Sequence, residues 1–171
     1  MGQLAERVGQ LTDVLRQLIV RVDRLDDRVD RLVGRDLERH YRDHAAAFFQ
    51  PILRRIQVVD PARLEQLADD AEHRGLLTAP EHADLLYADA VVLGRARETD
   101  AETYLLVDVS VVVDTGDVER AVRRAALLQK ASSADVLAVV AGERILPEAD
   151  RQARRHRVWR VLDGLANPPP T

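Results

Sequence analysis

The chain has 171 residues, of which 46% are apolar and 32% charged, a composition typical of a folded, soluble protein with a charged surface. Its formal net charge of −4 provides no bulk positive field of the kind that indicates nucleic-acid binding. The sequence contains no cysteine, which excludes disulfides and cysteine-based zinc sites or nucleophiles. No apolar stretch approaches the roughly 18 residues of a membrane span, and no signal peptide is apparent, so we expect a cytoplasmic protein without a membrane partner.

Residues 4–32 follow an unbroken heptad repeat. Their apolar residues are spaced alternately by four and three, which keeps them on one seam of a helix. Leucine occupies every d position and valine three of the four a positions, a pattern that favours a parallel two-stranded coiled coil. The seam consists of Leu4, Val8, Leu11, Leu15, Leu18, Val22, Leu25, Val29 and Leu32.

Charged residues outside the seam indicate how the coil would pair. Arg21 at a g position can reach Asp26 at an e position of a second copy, which favours a parallel dimer. Val14, Ile19 and Val20 widen the apolar stripe, so a trimer or tetramer stays open. The alternative interpretation is an amphipathic helix packed on its own domain.

The rest of the chain predicts an α/β domain. We expect Gly34 to interrupt the coil and a second helix to run from near Asp36 to Pro51. Thr78 opens the second of two short helices. The acidic residues Glu81 and Asp84 of this second helix would repel phosphate, so a packing insert is favoured over a DNA-reading helix-turn-helix. The further predicted elements are a strand at 54–59, helices at 61–73 and 79–87, strands at 89–93 and 103–113, a helix to about 131, a strand at 135–141, a helix at 147–156 and a strand at 158–162. The predicted segments are therefore a coiled-coil helix at 1–33, an α/β domain at 34–164 and a disordered, proline-rich tail at 165–171.

Two carboxylates stand out in the predicted hairpin. The strand at 103–113 is almost entirely Val, Leu and Tyr, as expected of a strand covered on both faces, but Asp108 and Ser110 interrupt it. Asp89 begins the preceding strand, so antiparallel pairing brings Asp89 and Asp108 together. Carboxylates that converge at the end of a sheet fit a Mg²⁺ site, with water and phosphate oxygens as the other ligands. The structural alternative is that Asp89 caps a turn and Asp108 pairs with an arginine.

This layout resembles the PD-(D/E)XK, or restriction-endonuclease-like, superfamily. The resemblance covers roughly residues 34–163 and is carried by Ala88-Asp89-Ala-Val-Val, by Leu105-Leu-Val-Asp108-Val-Ser110 and by the helix that begins Asp117-Val-Glu-Arg. It implies a core of helix, strand hairpin, helix, strand, helix and strand, with the two short helices as an insert. The chain also resembles bacterial proteins that place a heptad helix before such a domain.

The resemblance also implies roles for individual residues. Asp89 matches the first metal-binding aspartate, Asp108 the second acidic residue, and Glu38 a glutamate that some members use as an additional ligand. The lysine that in the family follows the second acid by two residues is here Ser110, whose hydroxyl carries no charge beside an anionic transition state. In some members the basic residue lies on the next helix, where Lys130, the only lysine in the chain, is the candidate, with Arg120, Arg123 and Arg124 as alternatives. Gln129 matches a helix glutamine that some family nucleases carry.

Three hypotheses follow. The first is a Mg²⁺- or Mn²⁺-dependent nuclease-like phosphodiesterase that acts on nucleic acid and dimerises through its coil. The second is a catalytically inactive nuclease fold used for assembly or nucleic-acid binding, favoured by Ser110, the acidic charge and the heptads. The third is a purely structural coiled-coil protein, for which an arginine within hydrogen-bonding distance of Asp108 would decide. An arginine cluster near the C-terminus (Arg151, Arg154, Arg155, Arg157 and Arg160) either meets DNA phosphate or forms an exposed helix face.

Overall fold

A computed structural model of the chain describes residues 2–171, which form a mixed α/β protein with a long N-terminal helix. The chain divides into two compact units, the second of which is Leu37–Thr171. In chain order the elements are α1 (Gly2–Asp43), α2 (Ala45–Phe49), β1 (Leu53–Val58), α3 (Pro61–His73), α4 (Ala79–Leu86), β2 (Ala90–Ala96), β3 (Glu102–Val109), β4 (Val112–Val113), α5 (Thr115–Ser132), β5 (Asp135–Gly142), β6 (Arg144–Ile145), α6 (Pro147–Arg155), β7 (Trp159–Leu162) and β8 (Leu165–Asn167).

Helix α1 continues through Gly34, so the predicted break at this residue and the predicted new helix near Asp36 are wrong. A glycine inside a helix costs only about 1 kcal/mol relative to alanine, and Gly34 keeps its backbone N–H, unlike a proline. The helix instead ends at Asp43, and the short helix α2 follows before Pro51. No helix among residues 2–171 is long and apolar enough to cross a membrane.

A six-stranded mixed sheet forms the centre of the Leu37–Thr171 unit, in the order β1-β2-β3-β5-β7-β8. Strands β1, β2 and β3 are antiparallel neighbours, whereas β3, β5 and β7 run parallel. The predicted hairpin is therefore β2–β3, with α5 as the crossover to the parallel neighbour β5. A separate two-stranded sheet pairs β4 with β6.

Both faces of β3 are covered, as its nearly continuous apolar sequence predicted. Seven of its eight residues are buried, and alternate side chains enter two different cores. Leu105 and Val107 pack with Tyr41 and Phe49 from the helices that precede the sheet. On the other face Leu106 belongs to a cluster formed with α3, α4 and α5. The two short helices α3 and α4 thus form part of the packing of the domain.

Two of the predicted strand boundaries differ from those in the structure. The strand predicted at 103–113 divides at Ser110 into β3 and β4. The predicted disordered tail at 165–171 begins instead with β8, which pairs with β7. Asp163 and Gly164 connect these two strands with φ angles of 48° and 77°, the left-handed conformation that a two-residue Asp-Gly hairpin requires.

Gly142 is the last residue of β5 and lies against Ser110, just past the end of β3. A Cβ atom at this position would lie 2.0 Å from the carbonyl oxygen of Ser110, so no side chain fits without separating the two segments. We expect Gly142→Ala to lower the free energy of unfolding by about 3 kcal/mol, at the upper end of overpacking effects. Chemical denaturation followed by circular dichroism measures this change.

Gly34→Ala is the matched control for this substitution. No atom lies within 4 Å of the position that its Cβ would occupy, and alanine is favoured over glycine inside a helix by about 1 kcal/mol. We expect Gly34→Ala to leave the unfolding of the domain unchanged and to raise the helical signal. Equal destabilisation by both substitutions would contradict the steric explanation.

Candidate functional site

The hairpin register brings Asp89 and Asp108 together. Ala90 is paired with Val107 across β2 and β3, so the next pair towards the end of the hairpin is Asp89 and Asp108. Asp89 Oδ2 accepts a hydrogen bond from the backbone N–H of Val109 at 2.7 Å. The carboxylate of Asp89 is therefore fixed against the strand that carries Asp108. This is the convergence that the sequence pattern predicted.

Asp108 is only 2% exposed and is held by two arginines from α5. Arg120 Nε lies 3.2 Å from Asp108 Oδ2, and Arg124 Nη1 lies 3.5 Å from the same oxygen. The arginine that the purely structural hypothesis requires is thus present. Its presence means that Asp108 has a charge partner without a metal ion, as a buried carboxylate needs.

The N-terminus of α5 fixes the direction from which these arginines approach. Asp114 caps the helix, accepting from the Asp117 N–H at 3.0 Å, and Asp117 accepts in return from the Asp114 N–H at 2.7 Å. This reciprocal capping box starts the helix at a defined residue. Arg120 and Arg124 are then one turn apart on a single face. Arg120 also pairs with Asp117, which is buried beside it.

Arg124 connects the site to α4. Its Nε donates to Asp84 Oδ1 at 3.0 Å, and its Nη1 donates to the carbonyl oxygen of Tyr87 at 3.1 Å. Arg123 pairs with the same carboxylate at 2.7 Å. A single buried guanidinium therefore joins the end of β3 to the end of α4.

The two central carboxylates retain unfavourable electrostatics in spite of these arginines. Burial, followed by the charge of Asp89, raises the pKa of Asp108 to about 7. Burial also raises the pKa of Asp89 to about 6; the Val109 hydrogen bond opposes this shift, and the charge of Glu38 adds to it. Ionisation of these two buried carboxylates is therefore unfavourable near neutral pH, a condition that a bound cation would relieve.

Asp89 lies at the wall of a cleft with a volume of about 560 Å³. Arg42 lines the same cleft, and its Nη1 lies 3.3 Å from the carbonyl oxygen of Asp89. Glu38 is one helical turn before Arg42, and it is close enough to influence the pKa of Asp89. Among residues 2–171, no group of three or more His, Cys, Asp or Glu side chains is arranged to hold a metal ion. A Mg²⁺ ion here would thus take one or two carboxylates and complete its shell with water and phosphate oxygens.

The structure does not bring the other predicted catalytic residues to these carboxylates. Ser110 lies just past the end of β3, and its Oγ donates to the carbonyl oxygen of Val112 at 3.1 Å. Lys130 pairs instead with Glu81 at 3.4 Å, and Gln129 is exposed. Along α5, Lys130 and Gln129 are about 15 Å beyond Arg120 at ~1.5 Å per residue. The basic side chains beside Asp108 are therefore Arg120 and Arg124, and Lys130 and Gln129 lie away from the carboxylates.

The predicted arginine cluster near the C-terminus is largely neutralised within the chain. Arg154 Nε lies 2.8 Å from Asp150, Arg151 pairs with Glu148, and Arg160 also pairs with Asp150. Arg160 is buried and additionally donates to the carbonyl oxygen of Pro168 at 2.8 Å. Three of the five arginines thus hold α6 and the C-terminal segment, which reduces the charge available for phosphate.

Sequence reasoning missed three participants in the site. The sequence pattern identifies Asp84 only as an acid of the second short helix and Asp117 only as the start of a helix, and it does not single out Arg42. The spacing Asp114-x-x-Asp117 is a capping-box signal, and Arg120 three residues later is within reach of Asp117 on the same helix. No local pattern identifies Asp84 or Arg42, because their partners are distant in sequence.

We predict that Asp89→Asn stabilises the protein at neutral and higher pH. The pKa of Asp89 is raised when folded, so ionisation costs stability as pH rises from about 4 to above 6. Asparagine retains an oxygen that can accept from Val109 but carries no charge. Denaturation at pH 8 should show a gain of about 1–3 kcal/mol, and the gain should vanish near pH 4.

Asp84→Asn provides a control of opposite sign. The hydrogen bond from Arg123, with smaller contributions from Arg124, lowers the pKa of Asp84 in opposition to its partial burial. Its contribution to stability is therefore present above the unfolded pKa and is lost at low pH. We expect Asp84→Asn to destabilise the protein at pH 8, and this destabilisation should diminish as the pH falls below the unfolded pKa of about 4. A uniform effect of either substitution across this range would contradict the electrostatic account.

The chain was compared with protein-family models, with curated proteins and with solved structures. None of the three comparisons gives a match. A functional conclusion about this chain therefore rests on the geometry of its own residues.

Proposed function

We propose that residues 37–171 form a nuclease-like domain that uses Mg²⁺ or Mn²⁺ to act on phosphodiesters of nucleic acid. The observation that carries this proposal is the opposition of Asp89 and Asp108 at the end of the β2–β3 hairpin, where Asp89 lines a cleft. The order of a helix, this hairpin, α5 and the parallel strand β5 agrees with the PD-(D/E)XK layout. Glu38 is within electrostatic range of Asp89, which supports its role as the additional ligand that the resemblance implies.

The residues present fit a divalent cation in charge and in donor type. Asp89 and Asp108 have raised pKa values because they are buried near each other and, for Asp89, near Glu38. A bound Mg²⁺ would supply a Lewis acid for the scissile phosphate and for the attacking water. Asp89 is already oriented by Val109, so its second oxygen is available for a cation or a water.

Arg120 would take the part that a lysine has in the family motif. Its side chain is 41% exposed, so it can reach a phosphate at the site as well as Asp108. A guanidinium stabilises developing negative charge on phosphate oxygens but remains protonated, so it cannot act as a base. In this scheme Arg120 binds and stabilises the phosphate, and Arg42 is a second cation at the cleft.

The alternative function is a catalytically inactive nuclease fold used for assembly or nucleic-acid binding. The specific observation that favours it is the clamp of Arg120 and Arg124 on Asp108, which satisfies the carboxylate without a metal. Ser110, whose hydroxyl is engaged by Val112, supports the same alternative. Under both proposals residues 4–32 associate with a second copy as a parallel coiled coil.

Metal binding and cleavage distinguish the two proposals. If the domain is active, Mg²⁺ or Mn²⁺ should raise the melting temperature at pH 7.5 and should support cleavage of DNA or RNA by the full-length protein. Asp89→Asn should remove both effects, with a loss of cleavage on the order of 100-fold or more. Because this variant is expected to be more stable than the wild type, its loss of cleavage cannot come from unfolding.

Lys130→Ala is the control for a catalytic contribution from α5. Lys130 is paired with Glu81 away from the carboxylates, so its removal should leave cleavage unchanged, whereas Arg120→Ala should lower it. Absence of any metal-dependent shift and of any cleavage would leave the inactive fold as the function. Cleavage that persists in Asp89→Asn would point to a contaminating nuclease.

A further inference from the structure

The N-terminal helix separates its charges onto two flanks. On a heptad helix, positions g and c lie on one side of the apolar seam, and positions e and b lie on the other. From residue 21 onwards the g and c positions are all arginine, and aspartate fills three of the four e and b positions. We call these the arginine flank (Arg21, Arg24, Arg28, Arg31 and Arg35) and the aspartate flank (Asp23, Asp26 and Asp30).

This separation is unfavourable in an isolated helix. Neighbours on each flank are three or four residues apart, so like charges face one another along the surface, which destabilises a single helix. Among residues 2–36 the described ion pairs include only Arg16 with Asp13. Neither flank thus has a counter-charge from the other within the chain.

The seam between the flanks is also uncovered in the single chain. Its nine apolar side chains are between 49% and 74% exposed. A second copy of the same helix supplies both missing partners, since it offers an apolar seam and flanks of opposite charge. The direction in which it lies decides which flanks meet.

In a parallel pair each g position faces the e position five residues later in the second copy. Arg21 then faces Asp26 of the second copy, and Val14 faces Ile19 of the second copy. Charge meets opposite charge and apolar meets apolar. In an antiparallel pair g faces g and e faces e. Because the C-terminal half of one helix then lies against the N-terminal half of the other, Arg28 would face Arg7 and Arg21 would face Val14. Neither contact pairs an arginine with an aspartate.

The two contacts of the parallel pair also fix the register. If one helix slips by a heptad, Arg21 faces Ile19 or Val33, and Val14 faces Thr12 or Asp26. Each slip therefore places a charge against an apolar side chain, which desolvates the charge without pairing it. The remaining g residues, Arg7 and Arg28, face Thr12 and Val33 in the correct register. One slip would place Arg28 opposite Asp26, but on only one side of the dimer, whereas the correct register forms the Arg21–Asp26 pair on both sides.

We propose that residues 4–32 of two copies pair in parallel and in register, and that the arginine flank of one copy against the aspartate flank of the other sets this arrangement. The inference rests on the self-association in the proposed function and specifies its partner surface. It does not depend on nuclease activity. A protein that cleaves nucleic acid without this pairing would overturn the inference alone, and paired chains without cleavage would leave it intact.

Single cysteines in the full-length chain test the orientation, because the natural sequence has none. Leu32 lies at one end of the seam. Two chains that carry Leu32→Cys therefore form a disulfide only when their helices are parallel and in register. In an antiparallel pair these residues would be about 40 Å apart at ~1.5 Å per residue. Leu18→Cys is the matched control, since it lies at the midpoint and can link in either orientation.

We expect both variants to form a disulfide-linked dimer on mild oxidation. Linking by Leu18→Cys alone would overturn the parallel arrangement, and linking by neither would overturn the pairing.

Charge exchange tests the role of the flanks. Arg21→Asp should weaken self-association on the order of 10-fold, because two attractive contacts in each dimer become repulsive. Adding Asp26→Arg to the same chain should restore association, since the two charges are only exchanged. Arg28→Asp is the control on the same flank, because it faces Val33 and should have little effect. Analytical ultracentrifugation measures all four proteins, and failure of the double variant to recover would overturn the proposed pairing of flanks.

Discussion

The buried charge of Asp108 is the constraint on which the rest of the domain is arranged. An isolated carboxylate in a protein interior is too costly to maintain, so neighbouring elements must supply positive charge. Arg120 and Arg124 do so from α5, at 3.2 Å and 3.5 Å from one carboxylate oxygen. The position of α5 against β3 is thereby tied to a charge as well as to apolar packing, since Ala125 and Leu128 belong to the same core as Leu106.

The same constraint explains why the site has features of both a structural cluster and a ligand-binding site. Arg124 is buried and shared between Asp84, Asp108 and the end of α4, as expected of a structural element. Asp89, in contrast, lies at a cleft beside a second carboxylate and has a raised pKa. A purely structural cluster would be more stable without that second charge. The persistence of unfavourable charge beside a cleft is typical of functional sites.

The N-terminal helix is specified by local sequence and not by a buried charge. Its seam and its charges are specified by sequence period alone, and no tertiary contact within the chain is needed to order them. Gly34 shows that a single residue with low helix propensity does not determine where such a helix ends. A single glycine costs too little to stop a helix that its neighbours favour, so the helix continues to Asp43.

The sequence by itself determined the elements and the hairpin, because apolar periodicity and caps act locally. Asp60 and Thr78 each cap the helix that was predicted after them, and the two successive apolar strands predicted the hairpin in which Asp89 opposes Asp108. Only the tertiary structure decided what surrounds that pair. Asp84 and Arg42 reach the site from helices distant in sequence. Of the basic residues on α5, Arg120 and Arg124 contact Asp108, and Lys130 pairs with Glu81 instead. These contacts depend on how distant elements pack together, which no local sequence pattern predicts.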